Sequence, residues 1–158
     1  MQNKNLQLAV IITLLTIFII ACKKEPFYSS AVDIPDAGWK GQEAAVFSPE
    51  FTDTSRIYNI LLSITNTEKY RYSNLWLFIK SKSPDGHFQR DTLEIFLADE
   101  TGKWFGKKSS NQWNYQFYYR KNIRFPKSGK YTFEIQQGMR DLNIQGISNI
   151  AFELEESK

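Results

Sequence analysis

The sequence predicts an all-β domain, a jelly-roll-like antiparallel β-sandwich that follows an N-terminal lipoprotein leader and a short tether. Three observations carry that expectation. Apolar residues alternate with period two in one segment after another, which lines them up on one face of a strand. Turn signals separate those segments. No stretch holds a 3.6-residue period long enough for an amphipathic helix. Composition agrees: 12 Phe, 8 Tyr and 4 Trp make up 15% of the chain, and aromatic side chains favour strands.

The elements follow in order. RIYNILLSIT (Arg56–Thr65) places Tyr58, Ile60, Leu62 and Ile64 on one face. NLWLFIKSK (Asn74–Lys82) begins apolar on both faces, as a central strand does, and ends in the turn Ser83-Pro84-Asp85-Gly86. There proline presets φ and glycine accepts a positive one. DTLEIFLA (Asp91–Ala98) aligns Leu93, Ile95 and Leu97 before the turn Asp99-Glu100-Thr101-Gly102. NYQFYYR (Asn114–Arg120) aligns Tyr115, Phe117 and Tyr119, and the turn from Phe125 to Gly129 comes next. KYTFEIQQ (Lys130–Gln137) points Tyr131, Phe133 and Ile135 inward; ISNIAFELEE (Ile147–Glu156) does so with Ile150, Phe152 and Leu154. Between these two, Gly138 to Gly146 reads as a crossing loop or a short helical turn. Roughly seven or eight strands of this kind suit an antiparallel sandwich. The expected core is Tyr58, Ile60, Leu62, Leu93, Ile95, Leu97, Phe117, Phe133, Ile135, Phe152 and Leu154.

The leader is read from residues 1–21. Lys4 precedes the apolar run Leu6–Ile20, and Ile19-Ile20-Ala21-Cys22 ends in the chain's single cysteine. A charged start, an apolar stretch and a small residue before the cut describe an export signal. With cysteine after the cut, the order resembles a bacterial lipobox, whose thiol takes the lipid. The run is shorter than the roughly 20 residues of a transmembrane helix. Cys22 is therefore the expected lipidation site, with 22–45 as the lipidated N-terminus and tether and 46–158 as the β-sandwich domain. Several acyl chains hold a protein on a membrane where one is marginal, since each buried CH₂ contributes about 0.8 kcal/mol.

The formal charge is +3, and it falls by one when Lys4 leaves with the leader. So balanced a chain is not expected to bind nucleic acid. Catalytic groups are sparse. His87 is the only histidine and lies in a turn; Cys22 is committed to lipid. No zinc ligand set and no phosphate-binding glycine loop can be assembled. Asp91 and Glu94 fall on opposite faces of a strand because their separation is odd, which makes them a poor acid/base pair. Asp99 and Glu100 read as an ordinary acidic turn, with a calcium site as the alternative. No cofactor or metal is expected. The aromatics Trp104, Phe105 and Trp113 suggest a face for a glycan or a protein, or else a second aromatic layer under a loop.

From Tyr70 to Glu155 the chain resembles the gliding-motility lipoprotein GldH family. The similarity is carried by Tyr70-Arg71-Tyr72-Ser73-Asn74-Leu75-Trp76-Leu77-Phe78, by Asp91-Thr92-Leu93-Glu94, and by Leu97-Ala98-Asp99 with Gly102-Lys103-Trp104-Phe105-Gly106. It continues in Phe125-Pro126, Gly129-Lys130-Tyr131-Thr132-Phe133 and Gln136-Gln137-Gly138-Met139-Arg140. The resemblance implies a cell-envelope lipoprotein needed for gliding, working alongside the type IX secretion apparatus, with no enzymatic activity and no cofactor. Its expected partners are the membrane, through the N-terminal lipid, and other gliding or secretion envelope proteins.

The leading expectation is thus a non-enzymatic assembly or scaffold lipoprotein. Trp76, Met139 and Arg140, from the two most specific blocks, join Trp104, Phe105 and Trp113 as the candidate partner or glycan face. The alternative is a glycan-binding surface module, and a carboxylate hydrolase is a distant third. Lys23 after Cys22 lacks the aspartate that resembles an inner-membrane retention signal, and Lys23-Lys24-Glu25 supplies only one acid. That favours the outer membrane, on its periplasmic leaflet rather than the cell surface.

Overall fold

A computed structural model describes residues 25–157; Cys22 and the leader lie outside them. The described residues form thirteen strands and no helix. In chain order these are β1 (Tyr28–Asp33), β2 (Trp39–Lys40), β3 (Ala45–Phe47), β4 (Glu50–Phe51), β5 (Tyr58–Thr67), β6 (Asn74–Lys82) and β7 (Phe88–Phe96). They continue as β8 (Lys107–Ser109), β9 (Gln112–Ile123), β10 (Gly129–Lys130), β11 (Thr132–Gln137), β12 (Asn143–Ile144) and β13 (Ile147–Glu156). A five-stranded sheet runs β1-β13-β5-β9-β8, and a four-stranded sheet runs β3-β11-β6-β7. All ladders are antiparallel. The pairs β10-β4 and β12-β2 stand apart from both sheets.

The two sheets bury their alternating faces against each other. Ile60, Leu62 and Ile64 of β5 and Ile150, Phe152 and Leu154 of β13 face Leu75, Leu77 and Ile79 of β6 and Phe133 and Ile135 of β11. The Phe152 ring lies 4.7 Å from Phe133 and 5.3 Å from Phe47, both across the sandwich. At one end Phe51, Tyr58, Phe125 and Tyr131 form a second aromatic knot, with Phe51 stacked on Phe125 at 3.9 Å. Of the expected core, Leu93 and Phe117 are only half-buried and the other nine are buried.

The chain enters the fold earlier than its composition suggests. Part of the segment expected as tether, 22–45, is strand: β1 pairs with β13 from Tyr28↔Leu154 to Asp33↔Asn149. Trp39 is buried, and its indole N–H donates to the Glu43 carbonyl at 2.8 Å. An edge strand needs only backbone pairing and one half-apolar face. Tyr28, Ser30 and Val32 supply that face too weakly to register as a period. Likewise Gly138 to Gly146, read as a loop or a helical turn, contains β12, which pairs with β2.

Gly146 leads into β13 at φ +86°, and a Cβ there would lie 2.1 Å from the Tyr70 backbone nitrogen. Gly146→Ala is expected to destabilise the fold by at least the roughly 1–3 kcal/mol of a strained left-handed residue, because backbone must also move. A lowered thermal midpoint relative to Gly102→Ala, where a Cβ meets nothing within 4 Å, checks this.

Candidate functional site

The two blocks that carried the family resemblance meet in space. Strand β6 sends Leu75, Leu77 and Ile79 into the core, so alternation sends Trp76 and Phe78 to the outer face of the four-stranded sheet. Just past the end of β11 the chain stays beside β6. The Gly138 N–H donates to the Trp76 carbonyl at 2.7 Å, and the Trp76 N–H donates to Met139 Sδ at 3.3 Å. A Cβ on Gly138 would lie 3.0 Å from the Phe78 ring, so the missing side chain makes room for that ring. Buried Gln137 pins the turn from both sides: its Nε2 donates to the Asp141 carbonyl at 2.9 Å, and its Oε1 accepts from the Met139 N–H at 2.8 Å.

The other block is tied in by its hydroxyls. Tyr72 Oη donates to Asp141 Oδ2 and buried Tyr70 Oη donates to the Asn74 carbonyl, each at 2.7 Å. Asn74 opens β6, as the strand pattern predicts, and its amide donates to Glu94 Oε1 at 2.6 Å. Burial pushes the Tyr70 hydroxyl pKa well above its ordinary range, so it remains a donor at any physiological pH.

The result is an aromatic outer face. Trp76 is 37% exposed, Phe78 49% and Phe96, on neighbouring β7, 57%. Phe88 on β7 and Val46 on β3 are exposed on the same face, set apart from these by Arg90 and by the Lys80–Glu134 ion pair. The doubly apolar pattern of β6 therefore marks a strand interior to its sheet with one face open, not one buried on both faces. Phe78, Phe88 and Phe96 were not singled out from sequence, although that pattern was the signal for Phe78. Arg140 is exposed and makes no ion pair among the described residues.

Trp104, Phe105 and Trp113 form a separate group. The Trp104 ring sits 6.3 Å from Tyr70 and 6.1 Å from Trp113, with planes tilted by 43° and 44°. Both tryptophans are half-buried, and Lys108 Nζ lies 4.8 Å over the Trp113 ring. Phe105 packs 5.7 Å from Tyr115. Trp104 packs against the core edge, whereas Phe105 is 37% exposed; the tilted rings do not lie flat in a row.

A third feature opens at the side of the sandwich, a cleft of about 610 Å³ between β7 and β9. Ile60, Ile79, Ile123, Phe125 and Phe133 line its depth. Asp91 reaches into it and accepts at Oδ2 from Tyr119 Oη (3.0 Å) and Arg120 Nη2 (2.6 Å). Consecutive residues of a regular strand point to opposite faces. Here the β5–β9 register slips between Ile60↔Arg120 and Leu61↔Tyr118, leaving Tyr119 as the extra residue. The bulge lets both side chains reach one carboxylate. Desolvation pushes the Asp91 carboxyl up, but the hydrogen bonds from Tyr119 and Arg120 outweigh it and hold its pKa below the usual value. Burial, with the Asp91 hydrogen bond, pushes Tyr119 up to about 12. Neither group is poised for proton transfer near neutrality. Glu94, facing out toward Asn74, takes no part. Asp99 caps its own turn, accepting from Thr101 and Lys103, and His87 is exposed at the cleft mouth.

Comparison with known proteins places this geometry. The family model described as GldH lipoprotein matches residues 26–154. This chain belongs to the GldH lipoprotein family. A gliding motility lipoprotein GldH homolog of Christiangramia forsetii is 31% identical, covering 94% of this chain and 96% of the relative. The gliding motility lipoprotein GldH of Flavobacterium johnsoniae is 24% identical, covering 92% and 94%. Among solved structures, the infectious bursal disease virus VP2 subviral particle aligns at 12% identity and a TM-score of 0.33, covering 84% of this chain and 33% of that one. The family match begins at residue 26, two residues before β1, so the early strand is part of the family domain.

Proposed function

We propose that this GldH-family chain is a lipid-anchored envelope protein that supports gliding motility and the associated type IX secretion apparatus. It acts as a non-enzymatic assembly component by binding another envelope protein. The observation that carries this reading is the outer face of Trp76, Phe78 and Phe96, with half-buried Met139 at its margin. No described element covers it, and the two family-like blocks build it jointly. Exposed contiguous apolar surface marks an interaction site, and tryptophan is enriched among interface hot spots. The chemistry adds support: Asp91 and Tyr119 satisfy each other, and no cluster of three potential metal ligands occurs among the described residues. Lipid at Cys22 confines the domain to a membrane, and tethering raises the effective concentration of a partner on the same surface. A modest interface then suffices. The outer membrane, on its periplasmic leaflet, is the destination this reading favours.

Trp76→Ala is expected to weaken partner binding by about 2 kcal/mol, roughly thirtyfold. Because the ring is exposed, the thermal midpoint should stay within a few degrees. Recovery of crosslinked complexes from envelopes, read beside the midpoint, checks both. Undiminished recovery with Trp76, Met139 and Arg140 each replaced would remove this face from the function.

A further inference from the structure

The two sheets are unequal. The five-stranded sheet ends in β9 and β8, whereas the four-stranded sheet stops at β7. The cleft opens where β7 faces β9, beside the bonds of Asp91 to Tyr119 and Arg120. Half-buried Tyr119 lines it, and half-buried Tyr115, Phe117 and Leu93 pack against the core on the same two strands.

β7 is a sheet edge over all nine of its residues; β1, β3 and β8 are edges of six, three and three residues, and β9 joins them beyond Asn114, where its pairing with β8 ends. The free side of β7 is identifiable. The Thr92 N–H bonds to no carbonyl of β6 and donates instead to the side chain of Asp91, at 2.9 Å. In an antiparallel ladder, residues alternate between bonding inward and facing outward. Phe88, Arg90, Glu94 and Phe96 therefore face the free edge with Thr92. An open edge of this length is a template for another strand.

We infer that β7 takes up an extended segment of a partner protein as a fifth strand of the shorter sheet. Alternate side chains of that segment would enter the cleft over Ile60, Ile123 and Phe125, and the intervening ones would join Phe88 and Phe96 outside. Charge specifies the segment further. The cleft lining carries Arg90, Arg120, Arg124 and Lys127 against Asp85 and Asp91; Arg120 pairs with Asp91 and Lys127 with Asp85, which leaves Arg90 and Arg124 in excess. The complementary segment alternates apolar residues and carries acidic ones. The inference rests on the reading that this lipoprotein works by binding a partner, and it supplies the mode.

The test uses the full-length lipoprotein in phosphatidylcholine nanodiscs and a fluorescent synthetic peptide of nine alternating valines and threonines with two aspartates at each end. Saturable binding is expected, together with slowed amide exchange along Phe88–Phe96. The same peptide with alternate amides N-methylated, and one with lysines replacing the aspartates, should each bind at least tenfold more weakly. Thr92→Pro removes an N–H that β6 does not use, which edge strands tolerate; it should keep the thermal midpoint and lose tenfold or more in affinity. No saturable binding, equal binding of the N-methylated peptide, or protection confined to other strands would overturn strand addition. The Trp76 face would then remain open to its own test, since the peptide assay needs neither the natural partner nor that residue.

Discussion

Phe152→Ala is expected to remove about 3–5 kcal/mol of unfolding free energy. The ring is fully buried and links the sheets, contacting Phe47 and Phe133 on one side and Tyr28, 6.1 Å away on the edge strand, on the other. A domain of this size is typically stable by about 5–15 kcal/mol, so the loss is a large share of the total. Phe133→Ala, at the facing position, should fall in the same range and combine non-additively with it, because the two share one cavity. Urea unfolding of both single variants and the double checks the claim. A cost below about 1 kcal/mol at Phe152 would contradict a core built across two packed sheets.

Cys22→Ser should abolish lipidation and with it membrane retention. Serine keeps the shape but not the thiolate that accepts the diacylglycerol. The acyl chains carry the anchoring energy, at about 0.8 kcal/mol for each buried CH₂, so the loss should be near complete. Detergent-phase partitioning and mass spectrometry of the mature N-terminus read it directly. A serine variant that still partitions with membranes and still carries lipid would refute the Ile19–Cys22 reading. The described strands, Tyr28 to Glu156, all lie downstream of Cys22, so folding of the variant should be unaffected.

Much of this was legible in the sequence because strand burial is written in period two. Ile60, Leu62, Phe133, Ile135, Phe152 and Leu154 alternate cleanly, and all six are buried. What was not legible has physical causes. β1 is held by backbone pairing to β13, which leaves little trace in side-chain hydropathy. Leu93 and Phe117 are half-buried because β7 ends its sheet and β9 lies next to the end of the other, a property of sheet order and not of either segment. Trp76 and Met139 were singled out, yet that Met139 Sδ accepts from the Trp76 backbone follows only once β11 and β6 are paired in register. The sequence grouped Trp104, Phe105 and Trp113 with them. The fold separates that group, because Trp104 is claimed by Tyr70 and Trp113 at the core edge.

If the chain holds a partner against its aromatic outer face, side chains on that face lie within crosslinking reach of one envelope protein. The most direct measurement is site-specific photocrosslinking in intact envelopes, with the reactive side chain at position 76 or 96 and, as control, at Ala31 on β1, an exposed residue of the other sheet. The account predicts one dominant adduct with an envelope protein from positions 76 and 96, and none of it from position 31. Equal, diffuse labelling from all three positions would contradict it.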